Sequence, residues 1–240
     1  MTTYLMRHAP TTYSETFRVN GDSNVDVPLA EGSASACQVA RAGLPLGDIV
    51  TCVVSRFQRC RQTAELIANS QVPIDVETLL DELDYGSFEG GEFFAYALWL
   101  AEHGPGQRPP GAGESQRQGI QRMLRGLAQA MSRPGPRLVV AHGLLLSVVQ
   151  WALSNPEGDL EDVLLPAAPP LVPVALGDDE LCRLIDRLMR GPEGERSSQN
   201  WRIDPGVFPV NLRHRLANVC ARVPTGNAPN HQHEEAVTDA

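Results

Sequence analysis

Apolar residues come in short bursts along this chain, and the bursts are of two kinds. Thr3–Met6, Ile49–Val54, Val72–Val76 and Arg137–Ala141 are brief runs, β-branched in the second and fourth, of the sort that buried parallel strands use. Between them lie longer segments with helical spacing. Ser33–Leu44 is rich in alanine, with Gln38 and Arg41 spaced for an exposed face. Arg59–Ala68 turns Ala64, Ile67 and Ala68 inward, with Ser55 as its expected N-cap. Glu114–Met131 gathers Ile120, Leu124 and Leu127 on one side, and Leu144–Leu153 is apolar throughout its inner face. This alternation predicts an α/β fold: a three-layer sandwich with a mostly parallel central sheet and helices on both faces. Two of the strands run straight into histidines, His8 and His142. Open α/β sheets bind ligands at the carboxyl ends of their strands, so both histidines are expected on one rim, 134 positions apart in sequence (142 − 8).

The pattern loosens elsewhere. Between Gly86 and Gly113 a short helix, expected over Phe93–Leu100, precedes a stretch crowded with Gly and Pro up to Gly111. This is expected to be a small lid insertion, about 87–113. Leu171–Leu176, Gly177-Asp178-Asp179 and Glu180–Arg187 fit a terminal hairpin, yet Leu181, Leu184, Ile185 and Leu188 also have helical spacing. Both readings stand. Residues 1–190 are expected to form one domain, and 191–240 a C-terminal extension. Trp201, Phe208 and Val210 suggest that part of the extension packs on the domain, with Pro224–Ala240 disordered.

Composition narrows the functional classes. Apolar residues are 42% of the chain and charged residues 20%, enough for a sizeable core. The formal charge of −9, from 20 basic and 29 acidic side chains, argues against nucleic acid and anionic membranes as partners. A phosphate site in such a chain must be built from a few aimed arginines. Five cysteines at irregular spacing, with no C-x-x-C pair, suggest free thiols rather than disulfides or zinc. The first ten residues lack the pattern of a signal peptide, and no apolar run approaches a membrane span. A soluble cytoplasmic protein is expected. Oligomeric state is not legible.

Four motifs carry chemistry. They are Arg7-His8-Ala9 after the first strand, Ser55-Arg56-Phe57-Gln58-Arg59-Cys60-Arg61-Gln62-Thr63-Ala64 after the second, the acidic stretch Glu82-Leu83-Asp84-Tyr85-Gly86-Ser87-Phe88-Glu89-Gly90, and Ala141-His142-Gly143. In this order they resemble the histidine phosphatase superfamily, the phosphoglycerate-mutase-like proteins with an Arg-His-Gly motif. Asp26-Val27-Pro28-Leu29 through Gly32 and Pro109–Ser115 fit the same pattern. The resemblance runs from Thr3 to about Leu153, more loosely to Arg187.

Phosphoryl transfer needs a nucleophile, positive groups around the equatorial oxygens and a proton for the leaving oxygen. His8 is the candidate nucleophile, since a neutral imidazole can attack phosphorus and hold the group covalently. Arg7 and Arg59 offer forked donors, and His142, protonated beside the phosphate, a third positive contact. Thr11 and Gly143 are further candidate phosphate contacts. Glu82 can act as acid and then base, although Asp81, Asp84 and Glu89 compete for that role and only the resemblance singles it out. The resemblance implies the same roles for His8, Arg7, Arg59, Glu82 and His142, with no cofactor and no metal. Ala9, Ser14, Cys60 and Arg56 depart from the family pattern. The function expected is hydrolysis of a small phosphorylated metabolite through phosphohistidine. The alternatives are a mutase and a non-catalytic phosphate-binding module; the 60 positions between Glu82 and His142 (142 − 82) leave little room for a mutase's long insertion.

Overall fold

In the computed structural model, which describes residues 1–45, 47–160 and 164–190, five strands form one sheet in the order β3-β2-β4-β1-β5. These residues fall within Met1–Asp204, the first of two units into which the chain divides. The expected C-terminal extension, with Trp201, Phe208 and Val210, lies outside the described residues, as do Cys220, His231 and His233.

The predicted strands appear as β1 (Thr2–Arg7), β2 (Thr51–Val54), β3 (Ile74–Val76) and β4 (Arg137–Ala141), parallel to one another wherever they pair. The segment left open is no hairpin: its first arm is a strand, and its second is the helix that the leucine spacing allowed. Val174–Gly177 is the edge strand β5, antiparallel to β1, and Asp178–Arg190 is a helix. Leu181, Leu184 and Ile185 on that helix are buried, which a hairpin would not achieve at this spacing.

The helices are α1 (Thr12–Glu15), α2 (Ser33–Ala42), α3 (Gln58–Ile67), α4 (Phe93–His103), α5 (Gln116–Ala130), α6 (Gly143–Ser154) and α7 (Asp178–Arg190). Helices α2 and α3 pack together against β2 and β4, while α5, α6 and α7 pack together against β1 and β5. The sheet is the middle layer. Strand alternation sorts the core accordingly. Met6, Cys52, Val54, Leu138 and Val140 join Cys37, Cys60, Ala64 and Ile67 beneath α2 and α3. Among the described residues, no helix is long and apolar enough to cross a membrane. Cys37, Cys52, Cys60 and Cys182 are free, and burial pushes the thiols of Cys52 and Cys60 up to about 12.

Two features were not visible in the pattern. Arg137, inside an apolar strand, is fully buried at the opposite end of the sheet from the histidines. Its guanidinium donates to Thr3 Oγ1 and Asp178 Oδ1, both at 2.9 Å. Around α4, Tyr96 packs edge-on against Tyr85 and Phe88, and Phe94, Ala97 and Leu100 are buried. The short helix expected within the lid is therefore present, and what the pattern did not show is the aromatic cluster it packs into.

Candidate active site

Strand order explains how distant residues meet. β1 and β4 are neighbours in register Arg7↔Ala141, and the His8 amide donates to the Ala141 carbonyl at 3.0 Å. His8 and His142 follow those positions, so their rings stand edge to face, with centroids 5.4 Å apart. β2, on the other side of β4, ends at Val54 and delivers Ser55 and, one helical turn later, Arg59.

The hydrogen bonds fix both imidazole tautomers. His8 Nδ1 lies 2.6 Å from the Ala9 carbonyl, which can only accept, so Nδ1 carries the proton. Nε2 then holds a lone pair, and Arg59 Nε donates to it at 3.1 Å. His142 Nδ1 accepts from Arg59 Nη2 at 3.2 Å, which leaves its Nε2 to donate to Ser55 Oγ at 2.8 Å. Ser55, expected to cap α3, instead orients His142, and Phe57 occupies the cap position. The Phe57 ring lies under the Arg59 guanidinium at 4.2 Å and edge-on to His142 at 4.8 Å.

Arg7 Nη1 donates to the Ala168 carbonyl at 2.7 Å, while its Nε is buried with no hydrogen-bond partner among the described residues. A buried guanidinium N–H without an acceptor is costly unless something anionic takes it. Gly143 opens α6 directly against this group; a Cβ there would meet Arg7 Nε at 3.3 Å. The first amides of a helix are free to bind an anion at that point.

The four rival carboxylates separate clearly. Asp81 accepts from the amide and Nε of Arg56, Asp84 accepts from the amides of Gly86 and Gly113, and Glu89 accepts from Asn20 and the Gly21 amide. Only Glu82 of the four comes within 4 Å of a candidate catalytic side chain, with Oε2 3.9 Å from His142 Nδ1. Arg122 on α5 braces its backbone, donating to the carbonyls of Leu79, Asp81 and Glu82.

The model of the Histidine phosphatase superfamily (branch 1) matches residues 3–167. The chain belongs to the histidine phosphatase superfamily. Solved structures agree on the fold. YhfR of Bacillus stearothermophilus superposes with a TM-score of 0.58 at 22% identity, over 72% of this chain and 89% of that one. An alpha-ribazole phosphatase from Shigella flexneri gives 0.56 at 18% identity, over 73% and 89%. No curated protein matches the sequence.

Burial and two arginines set the electrostatics of the cluster. Burial above all, then Arg59 and Arg7, holds His8 well below the usual histidine range. Burial, Arg59 and His8 do the same to His142. Desolvation and two nearby guanidiniums disfavour charge on both rings, and the protonated His142 expected beside phosphate would need the anion to offset them. Burial raises the Glu82 carboxyl against the opposing pull of Arg59 and Arg7.

The departures from the family pattern also find places. Ala9 is fully buried in the apolar cluster beneath α3, so its methyl serves the core. Ser14 and Thr11 form a reciprocal cap on α1, which engages the Thr11 hydroxyl. Cys60 Sγ approaches the Ala141 carbonyl and His142 Nε2, both at 3.7 Å. Arg56 is held at Asp81, next to Glu82 in the chain. Sequence reasoning missed Asn20 and Arg122 altogether, because polar residues between motifs carry no local signal of their partners, and it gave Phe57 no role although that residue lies inside the second motif.

Proposed function

We propose that this protein is a metal-independent phosphatase that hydrolyses a small phosphomonoester through a phosphohistidine at His8 Nε2. The observation that carries the reading is the His8 tautomer. Its Nδ1 proton is held by the Ala9 carbonyl, and its Nε2 lone pair faces Arg59, with His142 alongside.

In the reaction, the Nε2 lone pair forms the N–P bond as the bond to the leaving oxygen breaks. Arg7, through its unpartnered Nε, and Arg59 balance the equatorial charge that a metal would otherwise balance. His142, whose protonation burial and Arg59 disfavour, can take up a proton once the dianion is bound. The Gly143 end of α6 adds backbone donors, and the Thr11 hydroxyl could join them by leaving its cap. Glu82, protonated more readily than an ordinary carboxyl, gives its proton to the leaving oxygen. It then removes one from the water that breaks the N–P bond, and His8 is regenerated. The free thiols suit a reducing, cytoplasmic setting.

The pH dependence follows from the two shifts. His8 must be neutral, and its depressed pKa sets the acid limb of kcat/KM below the usual histidine value of about 6.5. Glu82 must be protonated, so activity falls as pH rises through its raised pKa. The test is turnover of p-nitrophenyl phosphate in chelator, with rapid acid-free quenching to trap an alkali-stable phosphoenzyme. Label on His8, lost in His8→Ala, together with a basic limb that vanishes in Glu82→Gln, is expected. Turnover that survives His8→Ala would overturn the proposal.

A further inference from the structure

Arg59 makes four hydrogen bonds in the site, and two of them go to one residue outside the motifs. Nη1 donates to Asn20 Oδ1, and Nη2 donates to the Asn20 backbone carbonyl at 3.0 Å. Asn20 is 6% exposed and thus grips the guanidinium with two oxygens of a single residue. The remaining Arg59 donors reach the histidines, Nε to His8 and Nη2 also to His142.

An asparagine amide can turn over and present nitrogen in place of oxygen, so something must fix its sense. Glu89 does so. Its Oε1 accepts from Asn20 Nδ2 at 2.8 Å, and its Oε2 accepts from the Gly21 amide at 2.6 Å. Nδ2 also donates to the Asp22 carbonyl at 3.0 Å. Both oxygens of Glu89 are needed as acceptors, and both of its partners can only donate.

The segment carrying Asn20 is itself immobilised. Val19 exchanges backbone hydrogen bonds with Gly90 and Gly91, and a Cβ on Gly21 would lie 2.0 Å from the Leu83 carbonyl oxygen. Only glycine allows that approach. The Asn20 loop is thereby tied to the same stretch that carries Glu82, one residue before Leu83.

We propose that Glu89 and Asn20 are positioning residues for phosphoryl transfer: a carboxylate–amide clamp that fixes where Arg59 presents its guanidinium to His8 and to the phosphate. The proposal rests on the reading of Arg59 as a phosphate ligand. The clamp holds the far end of the guanidinium and leaves Nε at the nucleophile. Arg59 can then pass its Nε–H from the His8 lone pair to an arriving phosphate oxygen by a small swing, without losing its seat. Pre-set geometry of this kind lowers the cost of ordering a long side chain at the moment of binding.

Glu89→Gln keeps the shape but supplies one acceptor for two donors. Its amide nitrogen would face either the Gly21 amide or Asn20, and in the second case Asn20 turns over and sets a donor against Arg59.

Three readouts test the clamp in the full chain: kcat/KM with p-nitrophenyl phosphate, the Kd for inorganic phosphate, and the proton–nitrogen NMR signal of Arg59 Nε–H. Asn20→Ala should weaken phosphate binding by about tenfold and lower kcat/KM in the same proportion. In an Arg59→Ala background the same change should cost nothing further, because a residue that acts only through Arg59 has nothing left to position. A slowly exchanging Arg59 Nε–H signal is expected in the wild type, broadened or lost in both Asn20→Ala and Glu89→Gln. Equal losses in the presence and absence of Arg59, or an unchanged Nε–H signal, would overturn the clamp. Should Asn20→Ala not fold, Glu89→Gln decides by the same measures. The NMR readout needs no turnover, so a wild type without phosphatase activity would sink the functional proposal while the clamp is still judged.

Discussion

Removing the head group of Arg122 tests how the acidic segment is held in place. Arg122 projects from α5, where Gly119 and Gly126 flank it. A Cβ at Gly119 would sit 2.4 Å from Leu83 Cδ1, and one at Gly126 would sit 2.8 Å from the Leu79 carbonyl carbon. The segment from Leu79 to Leu83 therefore lies directly on the helix, and Arg122 reaches into it. Its guanidinium donates to three backbone carbonyls, of Leu79, Asp81 and Glu82, at 2.9 to 3.1 Å. It also forms a two-pronged pair with Glu114, at 2.9 and 2.6 Å. Arg122→Met keeps most of the apolar stem and deletes all five bonds. A fully buried pair broken from one side costs about 3–5 kcal/mol. Here the side chains retain 20% and 16% of their exposure, so water can partly replace the lost donors, and about 3 kcal/mol is expected. Urea unfolding followed by far-ultraviolet circular dichroism measures it as a lower midpoint at unchanged slope. Because the stranded Glu114 carboxylate is part of the cost, adding Glu114→Gln should recover some of the loss. A loss below about 1 kcal/mol, or no recovery in the double variant, would show that the carbonyls are satisfied without Arg122 and that the brace is incidental.

Acid sensitivity is a second expectation. The folded state holds His8 and His142 below their ordinary pKa, so the unfolded chain takes up protons that the folded chain refuses. Their stabilising effect is complete above about pH 6.5 and is lost as pH falls, at about 1.4 kcal/mol per pH unit for each histidine. Glu82, shifted upward, acts in the opposite sense, so the informative quantity is the change in slope: His142→Asn should reduce it by one proton's worth in urea titrations between about pH 5 and 6.5, and an unchanged slope would refute the assignment. Gly143→Ala should push the Arg7 guanidinium, which a Cβ would meet at 3.3 Å, and weaken inorganic phosphate binding by about tenfold with little change in Tm; isothermal calorimetry reads the first and thermal scanning the second. Gly126→Ala should destabilise by about 1–2 kcal/mol even though alanine is the better helix former by about 1 kcal/mol, since the Leu79 backbone cannot move aside; a rise in Tm would refute the close packing.

The sequence by itself determined the elements and the residues of chemistry that end them. Hydrophobic periodicity is a local property, set by which face of a strand or helix is buried, so β1 to β4 and the major helices were legible to within a few residues. His8 and His142 stood at strand ends, and the motif order named the superfamily. Periodicity failed at 171–187 because apolar residues recurring there fit a strand followed by a helix as well as either alone.

Partnership was decided only by the tertiary structure. A glutamate in an acidic turn looks the same whether it caps an amide, pairs with arginine or faces a histidine. The packing of 79–91 against Asn20, Arg56 and α5 separated Glu82 from Asp81, Asp84 and Glu89. Ser55 read as a helix cap until β2 was seen beside β4, where its hydroxyl meets His142. Arg137 read as the polar start of a strand until α7 placed Asp178 against it. Apolar burial depends on a residue and its near neighbours in the chain. A polar side chain is defined by an atom within about 3 Å that belongs to some other element, and only the order of strands in the sheet says which one that is.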